Sequence, residues 1–105
     1  MNISLARLDA REKWSVYLIL ASDTSLYCGI TNDVERRFKQ HQTGKGAKYF
    51  RGRQPVKVAW QLNNLTHRQA AAIEPKIKKL SRKRKCQLVN QQSNYSELEQ
   101  ILATK

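Results

Sequence analysis

Carboxylates are scarce in this chain. Eight Asp and Glu stand against twenty Lys and Arg, for a formal net charge of +12 and an isoelectric point near 10.2. A balance this basic lies outside the usual range of a metabolic enzyme and favours polyanions, nucleic acid first and an anionic membrane second. Cysteine is nearly absent too: Cys28 and Cys86 match no CxxC or Cys/His ligand spacing and lack the density of a disulfide scaffold. Two buried, reduced thiols of a cytosolic protein are expected. Long apolar runs are missing as well. No stretch approaches the roughly 18 residues of a membrane span, and the opening MNISLARLDAREKW contains no uninterrupted apolar segment of the secretory kind. A soluble, cytoplasmic protein with no membrane partner is the expectation. Repeats, linkers and low-complexity tracts are also absent, which leaves one domain over residues 1–105, with its core at about 14–90.

The distribution of charge says more than its sum. Residues 36–96 hold sixteen of the twenty Lys and Arg but a single carboxylate, Glu74. A solvated helical face usually alternates signs, and this region does not.

The pattern of apolar residues predicts an α+β fold, a small three-stranded, mostly antiparallel sheet flanked by helices. Residues 1–13 read as a polar lead-in in which Leu5, Leu8 and Ala10 suggest a short helix. Trp14 to Leu20 reads as a buried strand, 21–25 as a turn, and Leu26 to Ile30 as the returning strand. Tyr17 and Tyr27 share a face only if directly opposed residues have an even index sum, which requires a loop of three or five residues. A helix follows, with Thr31 or Asn32 as N-cap, Asn32 and Glu35 as a capping box, Val34 and Phe38 as its apolar side, and Gly44 as its stop. Arg37 and His41 stand one turn apart on it.

Gly44 to Pro55, GKGAKYFRGRQP, reads as a loop built to meet phosphates, with Tyr49 and Phe50 as candidates for base stacking. In VKVAWQL the alternation predicts a third strand with Val56, Val58, Trp60 and Leu62 on one face. Thr66 caps a long helix with Ala70, Ile73, Ile77 and Leu80 inward, and Pro75 predicts a kink beside Glu74. Ser81 to Val89 reads as a very basic helix, and Ser96 with Glu99 as a capping box opening a C-terminal helix at about 96–103.

In this order the residues resemble the GIY-YIG endonuclease superfamily, in its small single-domain branch. The two signature triads correspond to Ser15-Val16-Tyr17 and Tyr27-Cys28-Gly29, the helix arginine to Arg37, the histidine one turn later to His41, and the metal-binding glutamate to Glu74. An asparagine near the end of the module corresponds to Asn90. The triads alone are weak; the ordered set is specific. Ser15 stands in place of glycine and Cys28 in place of isoleucine, changes expected to affect strand packing.

The resemblance implies a catalytic set of Tyr17, Tyr27, Arg37, His41 and Glu74, one Mg²⁺ or Mn²⁺ ion on Glu74, and a nucleic-acid partner, DNA ahead of RNA. The chemistry agrees. Arg37 offers a guanidinium fork to a phosphate, and Mg²⁺ needs only one or two carboxylates because it retains several waters. A tyrosine hydroxyl, Tyr17 by the resemblance, can orient a water or accept its proton if positive charge lowers its pKa. The candidate nucleic-acid contacts are Arg36, Lys45, Lys48, Tyr49, Arg51, Arg53, Lys79, Arg82 and Asn90. Each residue also has a plainer use: strand tyrosines pack cores, His41 can cap carbonyls, and Glu74 can pair with Lys78 at i+4. Two other classes compete with the nuclease: an inactive nucleic-acid-binding module, and a basic adaptor on ribosomes or membranes.

Overall fold

The first strand is apolar on both faces because both faces are covered. In the computed structural model, which describes residues 13–103, β1 (Trp14–Ala21) is the central strand of an antiparallel sheet ordered β2-β1-β3, with β2 (Leu26–Thr31) and β3 (Pro55–Leu65) at the edges. The suggested helix through Leu5, Leu8 and Ala10 lies outside the described residues. Four α-helices follow the strands: α1 (Val34–Gln42) between β2 and β3, then α2 (His67–Lys78), α3 (Arg82–Gln91) and α4 (Tyr95–Ala103). A short 3-10 turn, Lys48–Phe50, interrupts the loop before β3.

Even-numbered residues of β1 and β2 face the larger core. Val16, Leu18 and Cys28 meet Trp60 and the inner sides of α2, α3 and α4. Odd-numbered residues face a smaller core in which Tyr17, Ile19 and Ala21 meet Phe50, with Tyr27, Phe38 and Val58 packed beside them. Each aliphatic or aromatic side chain so buried contributes roughly 1.5–3 kcal/mol. Trp60 also satisfies its ring N–H, which donates to the Ser93 carbonyl at 2.9 Å.

The hairpin register is the one the tyrosines need. Tyr17 pairs with Gly29 and Ile19 with Tyr27, both even sums, so the two tyrosines share a face. The Ala21 N–H donates to the Ser25 carbonyl at 2.9 Å and closes a loop over 22–24.

Four expectations need correction. The N-cap of α1 is Asp33, whose carboxylate accepts the Arg36 N–H at 3.0 Å, while Thr31 Oγ1 accepts the Asp33 N–H. A carboxylate one residue further along suits the positive helix end better than either Thr31 or Asn32. The box that opens α4 is Asn94 with Glu97, each side chain accepting the other's N–H at 2.9 Å, so the helix begins before Ser96. In β3, Leu18 pairs with Trp60 but Ile19 with Val58, so Ala59 is an extra residue. That bulge turns Val58 to the smaller core and leaves Trp60 and Leu62 on the larger one, while Val56 is 53% exposed. Cys28 is buried as expected, but Cys86 is only half-buried.

Two helix ends and one helix interior follow from local chemistry. Gly44, at φ +80°, closes α1 in a Schellman arrangement, with Lys45 N–H on the Gln40 carbonyl and Gly44 N–H on the His41 carbonyl. Thr66 and Gln69 form a capping box at the start of α2. The helix continues through Pro75. Both Pro75 and Ala71, whose carbonyl loses its usual partner, lie on the exposed side, where water can satisfy it.

Candidate active site

On the odd face of the sheet, Tyr17 projects from β1, Tyr27 from β2, and Arg37 and His41 from α1. The Tyr17 and His41 rings lie 6.2 Å apart, Tyr27 and His41 5.4 Å, and Tyr17 and Tyr27 6.3 Å. Tyr17 and His41 are each 2% exposed, whereas Tyr27 and Arg37 are half-buried.

The protonation state of His41 is set by its neighbours. The Ala47 backbone N–H donates to Nδ1 at 3.1 Å, so Nδ1 is the unprotonated nitrogen. Nε2 therefore carries the proton and donates it to Tyr17 Oη at 3.1 Å. Burial, helped by the nearby Arg37 charge, lowers the His41 pKa to about 4, so the ring is neutral at physiological pH. His41 is thus a fixed donor that holds the Tyr17 oxygen.

Two glycines make room for this pair. A Cβ on Gly29 would stand 2.4 Å from Tyr17 Oη, and one on Gly46 would stand 2.1 Å from His41 Nδ1. The glycine of the second triad thus has a packing reason, since the Tyr17 phenol lies across it.

Arg37 lowers the Tyr17 pKa as expected, but it is not the largest influence. Burial is the largest influence and raises it well above the usual phenol value; Tyr27 adds to the rise, and the Arg37 guanidinium only partly counters it. Tyr27 is also shifted upward by burial, with Lys78 and Arg37 opposing and Glu74 reinforcing. Both phenols are neutral hydrogen-bonding groups in the resting protein.

Glu74 comes from the opposite layer. Its helix, α2, packs on the even face, yet its charge acts on both Tyr27 and Cys28, residues of β2 that point to opposite faces. Helix α2 packs against β2, and the charges of Glu74 and Lys78 both act on Tyr27. The carboxylate is 25% exposed and its ion pair with Lys78 is loose, at 3.7 Å. Among the described residues no group of three or more His, Cys, Asp and Glu could cage a metal ion.

Arg37 is held by a residue that the pattern did not single out. Its Nη1 donates to Gln40 Oε1 at 2.9 Å, an i, i+3 contact whose spacing was readable. Gly46 and Ala47 were also missed, and nothing local marks them, because their role depends on the loop folding back over His41.

The candidate nucleic-acid contacts divide into groups. Lys45, Lys48, Arg51, Lys79 and Arg82 are exposed, and Arg36 is exposed with its Nη2 on Asn32 Oδ1 at 3.1 Å. Tyr49 and Arg53 are tied into the fold: Arg53 lies 4.1 Å over the Tyr49 ring and pairs with Asp23 at 2.7 Å, and the Tyr49 hydroxyl bonds to Ser25. Phe50 is 7% exposed in the smaller core. Asn90 is exposed on α3 and lines a small cavity with Arg82, Leu20 and Leu26, on the even face and away from His41.

Comparison with known proteins decides the family. A model of the GIY-YIG catalytic domain matches residues 13–87. This chain belongs to the GIY-YIG catalytic domain family. The GIY-YIG match spans both tyrosine triads, Arg37, His41 and Glu74. The chain is 49% identical to a UPF0213 protein of Vibrio parahaemolyticus over 78 residues, covering 74% of each chain. It is 43% identical to the UPF0213 protein YhbQ of Salmonella arizonae over 91 residues, covering 87% of this chain and 91% of that one. A UPF0213 protein of Bacillus halodurans, solved by solution NMR, is 39% identical, with 88% of this chain and 98% of that chain covered and a TM-score of 0.49. The GIY-YIG assignment supports a nuclease-like function and an interaction with nucleic acid. Among the described residues no helix is long and apolar enough to cross a membrane.

Proposed function

We propose that this protein is an endonuclease that hydrolyses a nucleic-acid phosphodiester, in DNA ahead of RNA, with one Mg²⁺ or Mn²⁺ ion. The observation that carries the reading is the cluster of Tyr17, Tyr27 and His41 on one face, with ring centroids 5.4–6.3 Å apart and Arg37 one turn before His41 on α1. Glu74, the only carboxylate of residues 36–96, stands on α2, which packs against β2.

Arg37, oriented by Gln40, grips the scissile phosphate with its planar fork. Glu74 would hold the metal; a partly exposed oxygen donor, loosely paired with Lys78 at 3.7 Å, suits a hard cation that keeps most of its waters. The bound ion supplies phosphate charge neutralisation and a more acidic water. Tyr27, half-exposed and neutral, orients the attacking water by hydrogen bonding. Tyr17 accepts from His41 and stays neutral, so it positions and does not serve as a resting base. Departure of the 3′-oxygen leaves a 5′-phosphate. Arg36, Lys45, Lys48, Arg51, Lys79 and Arg82 supply salt-sensitive backbone affinity.

The test is nicking of supercoiled, branched, single-stranded and RNA substrates with Mg²⁺ or Mn²⁺. Wild type cuts, chelator abolishes cutting, and Glu74→Ala and Arg37→Ala each lose roughly 100-fold or more. An inert wild type, or Glu74→Ala that cuts as well as wild type, sinks the reading. A second reading, a binding module without chemistry, draws on the Lys78 partner of Glu74 and the burial of Tyr17. It expects salt-dependent binding indifferent to chelation.

A further inference from the structure

Beside the tyrosines lies a second feature that the proposed chemistry does not use. An open cleft of about 690 Å³ separates the N-terminal turn of α1 from the outer part of β3. Its floor is apolar, from Phe38 and Val58, and its walls carry the amides of Asn32, Gln61 and Asn63 with the hydroxyl of Ser15. This volume falls in the range of small-molecule sites, and a few fixed polar groups over an apolar floor are their usual lining.

Two of the eight carboxylates stand at the cleft: among the described residues that line it are Asp33 and Glu35 with Lys13, and Arg36 reaches its rim by donating to Asn32 Oδ1 at 3.1 Å. Amides and a flat apolar floor suit the part of a nucleotide that is neutral, the base.

The amides are held in a defined order. Asn63 Oδ1 accepts from Ser15 Oγ at 2.7 Å and from Gln61 Nε2 at 3.0 Å. That leaves the Asn63 amide N–H groups as donors and Gln61 Oε1 as an acceptor, adjacent groups of opposite sense. A base edge presents the same alternation of donor and acceptor. Ser15, which stands where the first triad has glycine, thus acquires a polar task beyond strand packing.

The cleft also adjoins the candidate active site. Gln61 is the cross-strand partner of Tyr17, so their side chains share a face at roughly 5 Å. Ser15 is two residues before Tyr17 on the same strand and the same face. Helix α1 borders both, with Asp33 and Glu35 at the cleft and Arg37 and His41 at the site.

From this placement we infer that the cleft receives one unpaired nucleobase of the nucleic acid, adjacent to the phosphate held at Arg37. The inference rests on the nucleic-acid reading of the neighbouring site. A paired base cannot enter, because its edge is occupied and its faces are stacked. The protein accordingly prefers substrates with a single-stranded or flipped nucleotide beside the cut.

Two measurements test it. In the first, fluorescence anisotropy compares wild type, Asn63→Ala and Gln61→Ala on single-stranded oligonucleotides, on the same strands with one abasic position, and on intact duplex. Thermal unfolding controls for the fold. The variants weaken single-strand binding roughly 5- to 100-fold, leave duplex binding unchanged, and keep the wild-type salt slope because no phosphate contact is lost. In the second, free adenosine, cytidine, guanosine and thymidine are titrated into wild type while the side-chain amide NMR signals of Asn63 and Gln61 are followed. Shifts at these amides support the cleft even if no oligonucleotide binds, an outcome that removes the nuclease reading alone. Wild-type oligonucleotide binding with unaffected folded variants and no nucleoside shifts overturns the cleft and leaves the nuclease reading intact. Silence in both measurements overturns both.

Discussion

Replacing Gly46 with alanine tests the packing that fixes Tyr17. The new Cβ would lie 2.1 Å from His41 Nδ1, 2.8 Å from its Cα and 2.9 Å from its Cε1, so the imidazole must move. Movement breaks the Ala47 N–H···Nδ1 bond and the Nε2–H···Oη bond to Tyr17. Overpacking of this kind costs roughly 1–3 kcal/mol, and each buried partner left unsatisfied adds about 1 kcal/mol or more. The total comes to about 3–5 kcal/mol, which lowers the melting temperature of a domain this size by roughly 10–40 °C. Thermal unfolding by circular dichroism reads the loss. An NMR titration reads the cause, because an imidazole pushed out of its pocket regains water and its pKa climbs from about 4 toward the ordinary 6.5. Gly52→Ala is the control: it also perturbs a loop glycine, at φ +85°, but its Cβ would meet nothing within 4 Å. Its cost is backbone strain alone, about 1 kcal/mol. If Gly46→Ala melts within a degree or two of wild type and His41 still titrates near 4, the account of the Tyr17 anchor is wrong.

Four further outcomes follow from the same geometry. His41 binds its proton more weakly folded than unfolded, so stability falls as pH drops from about 6.5 to about 4 and levels off below, by up to about 3 kcal/mol. Urea unfolding across that window, with His41→Gln for comparison, checks this; an equal slope in the variant refutes it. Gly29→Ala drives a Cβ to 2.4 Å from Tyr17 Oη and costs roughly 1–3 kcal/mol, visible in the same unfolding assay. Arg37→Lys keeps the charge but loses the fork and the Gln40 contact, so its cleavage rate stays near that of Arg37→Ala; recovery to within a few-fold of wild type counts against bidentate binding. Lys79→Ala and Arg82→Ala each reduce the salt slope of nucleic-acid binding by about 1, measured by anisotropy, if these exposed side chains meet phosphates.

The parts legible in the sequence were those whose cause is local or periodic. The buried central strand, the Thr66 cap and the Gly44 stop each depend on a few neighbouring residues and appeared where their chemistry placed them. The register of the two tyrosines was legible as a condition on loop length, and the 22–24 loop meets it. The face of β3 was misread because a bulge at Ala59 inserts one residue without a mark in the apolar alternation. The start of α4 was misread because Asn94/Glu97 and Ser96/Glu99 are both plausible boxes, and the earlier one forms. The burial that outweighs Arg37 at Tyr17 was not legible for a different reason. Its pKa depends on how deeply the loop of Gly46 and Ala47 and the ring of Phe50 bury the pocket, and burial is a property of the folded chain.

The scarcity of carboxylates has a counterpart in the site itself. Around the phosphate position proposed here, Tyr17, Tyr27 and His41 are all neutral, Arg37 is positive, and Glu74 is the single acid, already facing Lys78. A second carboxylate would strengthen metal binding but repel the phosphate and lower the local potential that draws in a polyanion. Holding phenols and an imidazole neutral by burial solves the opposite problem. Neutral groups can position water and phosphate without competing with Arg37 for the negative charge. The cleft at Asn63 adds amides beside an apolar floor, and on the proposed reading a nucleotide lies with its base there and its phosphate at Arg37. Placing a cation at the cleft with Glu35→Lys, at an exposed residue that is not the N-cap, should then weaken discrimination between an intact and an abasic single strand while raising affinity for both. Equal discrimination in that variant would show that the amides alone set the preference.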